Sequence, residues 1–174
     1  MTNPYYTIRT AKAEEFEQIG DLMVTVYSAL DGFPTPQEQP QYYEKLRHIG
    51  EFANKPKVDL LVAVSDSGEI GGAVVYFEDM SQYRSGGTAP LEKQASGFRL
   101  LAVDPEARGQ GIGKLLTLAC IQKAKESPNK QLIIHSTKAM QIAWAMYEKM
   151  GFKRSEDLDF MQGELQVYGF RLHF

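Results

Sequence analysis

The segment Val103-Asp104-Pro105-Glu106-Ala107-Arg108-Gly109-Gln110-Gly111-Ile112-Gly113-Lys114-Leu115-Leu116 places three alternating glycines between an apolar strand pattern and a proline-free helical one. Glycine lets the backbone curl until successive N–H groups converge, and the start of a helix adds a partial positive charge. Together these features bind phosphate oxygens. Arg108 and Lys114 flank the turn and can add charge-assisted contacts. Two common phosphate loops are excluded on named residues. A Walker A loop ending at Gly113-Lys114 needs glycine where Arg108 stands and a hydroxyl where Leu115 stands. A dinucleotide-binding G-x-G-x-x-G needs glycine at Lys114 or at Leu116, depending on where it starts.

Outward from this turn, 98–103 reads as a strand ended by Asp104-Pro105, 112–126 as a helix and 131–136 as a buried strand. A helical crossover joins the two strands, so they are expected to be parallel. Upstream, 6–9 reads as an opening strand. A helix over 13–30 follows, with Phe16, Ile19, Leu22, Met23 and Val26 at helical spacing. The breakers Asp31-Gly32-Phe33-Pro34-Thr35-Pro36 end it, and a second helix is expected over 37–53 along Tyr42, Leu46 and Ile49. The segments 60–65 and 70–77 read as a hairpin around Asp66-Ser67-Gly68. A long polar loop is expected over 79–96. Downstream, a helix over 138–150 ends at Gly151, and two strands are expected over 153–161 and 165–173. This order predicts a mixed α/β fold in a single domain, 1–174.

Composition narrows the function classes. A formal charge of −3 and no basic block argue against duplex nucleic acid as a partner. No apolar run is long enough to span a membrane, and MTNPYYTIRT lacks the pattern of a secretory leader, so a cytoplasmic protein is expected. Cys120 has no partner for an intramolecular disulfide and falls in an apolar helical pattern, which suits core packing. His48, His135 and His173 are far apart in sequence, so no metal site is expected.

Arg108-Gly109-Gln110-Gly111-Ile112-Gly113 resembles the Q/R-x-x-G-x-G/A signature of the GNAT acetyltransferases. Ala143-Trp144-Ala145-Met146-Tyr147-Glu148-Lys149-Met150-Gly151-Phe152 resembles the A-x-x-L-Y-x-x-x-G-F segment of the same family. The specific likeness covers 97–152; the first ninety or so residues match only in element order. The resemblance implies a central mixed sheet of about six to seven strands flanked by about four helices, with acetyl-CoA as acetyl donor. It implies that Arg108, Gly109, Gln110, Gly111, Ile112, Gly113 and Lys114 hold the pyrophosphate. The strand Leu101-Ala102-Val103 would pair its backbone with the pantetheine arm, and its parallel neighbour would splay away to admit the cofactor. Met140 and Ala143 fall beside that arm; many relatives carry Asn where this chain has Met140. Tyr147 matches the family's general acid. Its phenol, with a reference pKa of about 10, is protonated at neutral pH and suited to donate to a departing thiolate.

The general base is open at this level. Relatives often carry Glu on the strand before the turn, where this chain has Gly97, Phe98 and Arg99. His135, at the end of its strand, has a suitable intrinsic pKa range. Glu78 and Asp79, at the start of the long loop, are further candidates, as is a water chain with no dedicated base. Acceptor specificity is expected from 27–41, which carries Tyr27, Phe33, Asp31 and Glu38 with Tyr42 and Tyr43 just beyond, and from the loop 79–96, where Asp79, Tyr83 and Arg84 follow Glu78. The expected reaction is acetyl transfer to a primary amine of a small molecule. The alternatives are acetylation of a protein lysine or N-terminus, and a non-catalytic acyl-CoA-binding module. Homodimers are common in the family, which makes a dimer an expectation of the resemblance alone.

Overall fold

The run Val58-Asp59-Leu60-Leu61-Val62-Ala63-Val64-Ser65 is apolar at successive positions, as a strand covered on both faces must be. The computed structural model describes residues 5–174. In it this run is β2 (Val58–Ser65), in a sheet with β1 (Tyr6–Thr10), β3 (Ile70–Phe77), β4 (Ala95–Val103), β5 (Gln131–Ser136), β6 (Lys153–Arg154), β7 (Phe160–Gln162) and β8 (Leu165–His173). The strand order is β1-β2-β3-β4-β5-β8-β6, with β7 attached to β8. Among the described residues only β4 and β5 run parallel; the other pairs are antiparallel.

Strand alternation divides the apolar side chains into two cores. Leu60, Val62, Val75 and Phe77 face one side, where α1 (Phe16–Ser28) and α2 (Pro40–Arg47) cover them with Ile19, Met23 and Leu46. Leu61, Val74, Tyr76, Leu132 and Ile134 face the other side. There α3 (Ile112–Glu126) and α4 (Gln141–Lys149) supply Ile112, Leu116, Cys120 and Tyr147. Leu46, Leu60 and Leu116 are fully buried, so truncating any of them to Ala is expected to cost about 2–5 kcal/mol.

Three segments differ from the sequence reading. The helix expected over 37–53 stops at Arg47, and a 3-10 turn, Ile49–Asn54, replaces its second half. Within this turn Gly50 lies against the Phe16 side chain too closely for any Cβ. The strand expected over 153–161 breaks after Arg154, which gives the sheet eight strands among the described residues. The 3-10 turn Glu156–Leu158 buries Leu158, and Arg154 holds Asp159 through two bonds of 3.0 and 2.8 Å. The loop expected over 79–96 is a packed segment with 3-10 turns at Met80–Gln82 and Ala89–Leu91, and it buries Met80, Tyr83 and Ala89. Among the described residues, no helix is long and apolar enough to cross a membrane.

Candidate active site

The parallel strands β4 and β5 pair only over Ala95–Gln131, Ser96–Leu132 and Gly97–Ile133, then part. A bulge on β4 bends the strand at that point. Three residue steps from Arg99 to Ala102 face two from Val75 to Ala73, and Leu100 adopts a left-handed φ of 60°. Beyond the bulge, the Asp104 N–H donates to the Gly71 carbonyl of β3. Alternation therefore turns the backbone groups of Leu101 and Val103 toward the gap between β4 and β5. The Leu101 carbonyl accepts a bond of 2.9 Å from the Tyr27 hydroxyl on α1. The gap opens into a cavity of about 780 Å³.

At one end of this cavity lies the glycine turn. Asp104 caps the 3-10 turn Pro105–Ala107 by accepting the Glu106 N–H at 2.9 Å, and the chain then reverses into α3. Gly109 and Gly111 take φ values of 83° and 78°, left-handed conformations that glycine adopts without penalty. No atom lies within 4 Å of where a Cβ would stand at either, so both are there for backbone conformation and open space. As the first turn of α3, Ile112, Gly113 and Lys114 have N–H groups with no acceptor inside the helix. Arg108, Gly109, Gly111, Ile112, Gly113 and Lys114 all line the cavity, as do Leu101, Val103, Met140 and Ala143. Ala102 and Gln110, expected beside them, are not on the wall.

Tyr147 also lines this cavity, with its ring edge-on to Phe98 and Phe152 at 5.9 and 5.7 Å. The residue is 4% exposed, and burial, reinforced by Cys120 and Tyr83, pushes its phenol well above the usual value. It therefore stays protonated. Among the described residues its hydroxyl has no hydrogen-bond partner. Thr137, on the same wall, has a buried hydroxyl oxygen that is likewise unpartnered.

His135 reaches the cavity wall but is occupied on both ring nitrogens. Its Nε2 lies 2.9 Å from the Leu158 carbonyl, which can only accept, so Nε2 carries the proton. Its Nδ1 lone pair receives the Tyr83 hydroxyl at 2.9 Å. Burial pushes the ring down to about 4, against the opposing pull of Leu158, so it is neutral at physiological pH and has no lone pair open to the cavity. Glu78 and Asp79 do not line the cavity. The Glu78 carbonyl accepts from Ser96 and Asn129, and the Asp79 carboxylate caps the turn at Ser81, which holds it below the usual carboxylate range. Of the acceptor-side residues, Tyr27, Phe33 and Tyr42 line the cavity. Asp31 and Glu38 do not; Glu38 is bound to the Thr35 backbone.

Several wall residues were not singled out from sequence as site residues. Leu100 carries the bulge, Phe160, Leu165 and Val167 close the wall from the tail, and Arg99 projects a cation into the cavity. An arginine inside the apolar strand Phe98-Arg99-Leu100-Leu101-Ala102-Val103 was the available signal for the last of these.

The family model described as the acetyltransferase (GNAT) family matches residues 23–152. The chain belongs to this family. Its fold is similar to that of the paia N-acetyltransferase from Thermoplasma acidophilum, solved in complex with coenzyme A (TM-score 0.72, 16% identity, 97% of this chain and 99% of that one). A GCN5-related N-acetyltransferase from Kribbella flavida is equally similar (TM-score 0.72, 15% identity, 99% of this chain and 100% of that one). A curated relative, mycothiol acetyltransferase of Saccharomonospora viridis, is 37% identical over 65 residues, 37% of this chain and 21% of that protein. The protein of the same name from Paenarthrobacter aurescens is 36% identical over 66 residues, 38% of this chain and 20% of its own length. The chain thus matches about a fifth of the length of these curated relatives.

Proposed function

We propose that this acetyltransferase binds acetyl-CoA along the free edge of β4 and transfers the acetyl group by direct attack to a primary amine of a small molecule, with Tyr147 as general acid. One observation carries the reading: a single cavity holds Leu101 and Val103 on the stretch of β4 that β5 has left, the two left-handed glycines and the Tyr147 hydroxyl. Bound acetyl-CoA supplies a thioester carbon for attack and a thiolate that leaves.

The N–H groups of Ile112, Gly113 and Lys114 would hold pyrophosphate oxygens, aided by the start of α3 and by the Arg108 and Lys114 charges. Gly109 and Gly111 shape the turn with Gln110 between them, and Ala102 is buried in β4 between Leu101 and Val103. Leu101 and Val103 offer backbone groups to the amides of the pantetheine arm, and Met140 and Ala143 give it an apolar side. The neutral amine attacks the thioester carbon, the carbon–sulfur bond breaks, and Tyr147 gives its proton to the departing sulfur. The proton shed by the new amide nitrogen passes to water, and Tyr147 regains one from solvent. Water takes this role because, among the described residues, no carboxylate lines the cavity and the His135 lone pair is engaged. His135 and Glu78 are then structural: the first ties Tyr83 to Leu158, the second anchors Ser96 and Asn129.

Enclosure by Tyr27, Phe33, Tyr42 and Phe160 favours a compact acceptor over an extended peptide. The curated relatives, named for mycothiol rather than for a protein, point the same way. The test is thiol release from acetyl-CoA across free amines and lysine peptides, with mass spectrometry of the product. N-acetylated small amines are expected. Release with no N-acetylated product from any amine would overturn the reading.

A further inference from the structure

Arg99 brings a positive charge into the cavity with no negative charge to meet it. It lies on β4 between the buried Phe98 and Leu100, is itself half-buried, and lines the cavity. Its contacts are neutral: Nη1 donates to the Tyr83 carbonyl at 2.7 Å, and the guanidinium stands 5.5 Å from the Tyr83 ring centre. Among the described residues it joins no ion pair, and no carboxylate lines the cavity. Nearby charges reinforce it. The Lys45 ammonium is pushed below its usual value by desolvation and then by Arg99 and Arg84, and neither Lys45 nor Arg84 has an acidic partner among the described residues.

A cation in a partly dehydrated cleft is costly unless paired, and a guanidinium fork matches a carboxylate or phosphate with two parallel bonds. The phosphates of the donor are not the partner. Four strand steps separate Arg99 from Val103, a span of roughly 13 Å before the glycine turn even begins. We propose that the acetyl acceptor is an amine that also carries an anionic group, carboxylate or phosphate, and that Arg99 binds that group. This rests on the acetyl-transfer reading for the identity of the reacting amine. It also excludes polyamines, whose second charge Arg99 would repel.

The experiment uses matched probes: α-amino acids against their α-carboxamides and decarboxylated amines, phosphoethanolamine against ethanolamine, and spermidine. Each is measured by calorimetry on the CoA-loaded protein and by thiol release from acetyl-CoA, in wild type, Arg99→Gln and Arg99→Lys. The anionic member of at least one pair is expected to bind about 10- to 100-fold more tightly to wild type. Arg99→Gln should erase that preference through the acceptor KM and leave the acetyl-CoA KM in place, while Arg99→Lys keeps part of it. The carboxylate and phosphate arms identify the anion. Equal or tighter binding of the neutral probes or spermidine, no binding of any anionic probe, or an equal loss for all probes in Arg99→Gln would overturn the proposal. The wild-type comparison needs no variant to fold. Selective anion binding without thiol release would sink the acetyl-transfer reading and leave the anion site standing; thiol release without anion preference would do the reverse.

Discussion

The Tyr27 hydroxyl donates to the Leu101 carbonyl at 2.9 Å, which ties the end of α1 to the free edge of β4. No neighbouring strand serves that carbonyl, because β5 has already parted from β4. Burial holds the Tyr27 phenol well above its usual value, so it remains a donor across the physiological range. Tyr27→Phe is expected to lower stability by about 1 kcal/mol, the net worth of one such bond, since water in the cavity can replace the lost donor. A reduced urea midpoint with an unchanged slope checks this; a loss several times larger would mean that the bond organises the whole edge.

His135 sets an acid limit on stability. Its folded pKa of about 4 lies below the ordinary value of 6.5. Below pH 6.5 the unfolded chain takes up a proton that the folded ring refuses. The stabilisation is therefore complete above pH 6.5 and is lost as pH falls from there toward about 4. Between pH 7 and pH 4.5, wild type is expected to lose about 2–3 kcal/mol more than His135→Gln. Chemical denaturation of both proteins at the two pH values measures the difference, and parallel losses would contradict the neutral assignment.

Gly111 separates backbone strain from ligand binding. Gly111→Ala meets no neighbour within 4 Å but forces a side chain into φ of 78°, so it is expected to cost roughly 1–2 kcal/mol of stability. Gly111→Glu adds a negative charge where phosphates would lie. Calorimetry is expected to show acetyl-CoA affinity falling far more for Gly111→Glu than for Gly111→Ala. Equal affinities in the two variants would place the phosphates elsewhere.

Asp159 anchors the break in the tail. It pairs with Arg154 and accepts the Gly169 N–H at 2.7 Å. Asp159→Ala removes both carboxylate bonds of a half-buried guanidinium, which keeps its bond to the Gly169 carbonyl, and leaves a strand amide unserved, with an expected cost of about 2–3 kcal/mol. Thermal or urea unfolding checks this, and a loss below 0.5 kcal/mol would show that water replaces the carboxylate.

What could be read from sequence was what the local backbone demands. The glycine turn before α3 and the parallel pairing of β4 with β5 follow from residue type and spacing; the structure has both, with Gly109 and Gly111 in left-handed conformations. The splaying of β5 from β4 came from the family resemblance rather than from any residue. The bulge at Leu100 was hidden, because nothing in an apolar leucine announces a positive φ imposed by its neighbours. The 3-10 turn that breaks 153–161 depends on Asp159 meeting Arg154 and Gly169 across the fold. On the acceptor side the sequence offered acidic residues near aromatic ones; Asp79 and Glu38 form local caps, while Arg99 lines the cavity. Side-chain direction at a bulge is a tertiary property.

The most direct measurement is single-turnover acetyl transfer by Tyr147→Phe, with acetyl-CoA affinity determined in parallel. The Tyr147 hydroxyl has no partner among the described residues, so its removal should leave the melting temperature and the acetyl-CoA Kd nearly unchanged. The transfer rate is expected to fall by about 100-fold or more, as for loss of a general acid. An unchanged rate with intact acetyl-CoA binding would contradict the assignment of Tyr147 and the mechanism built on it.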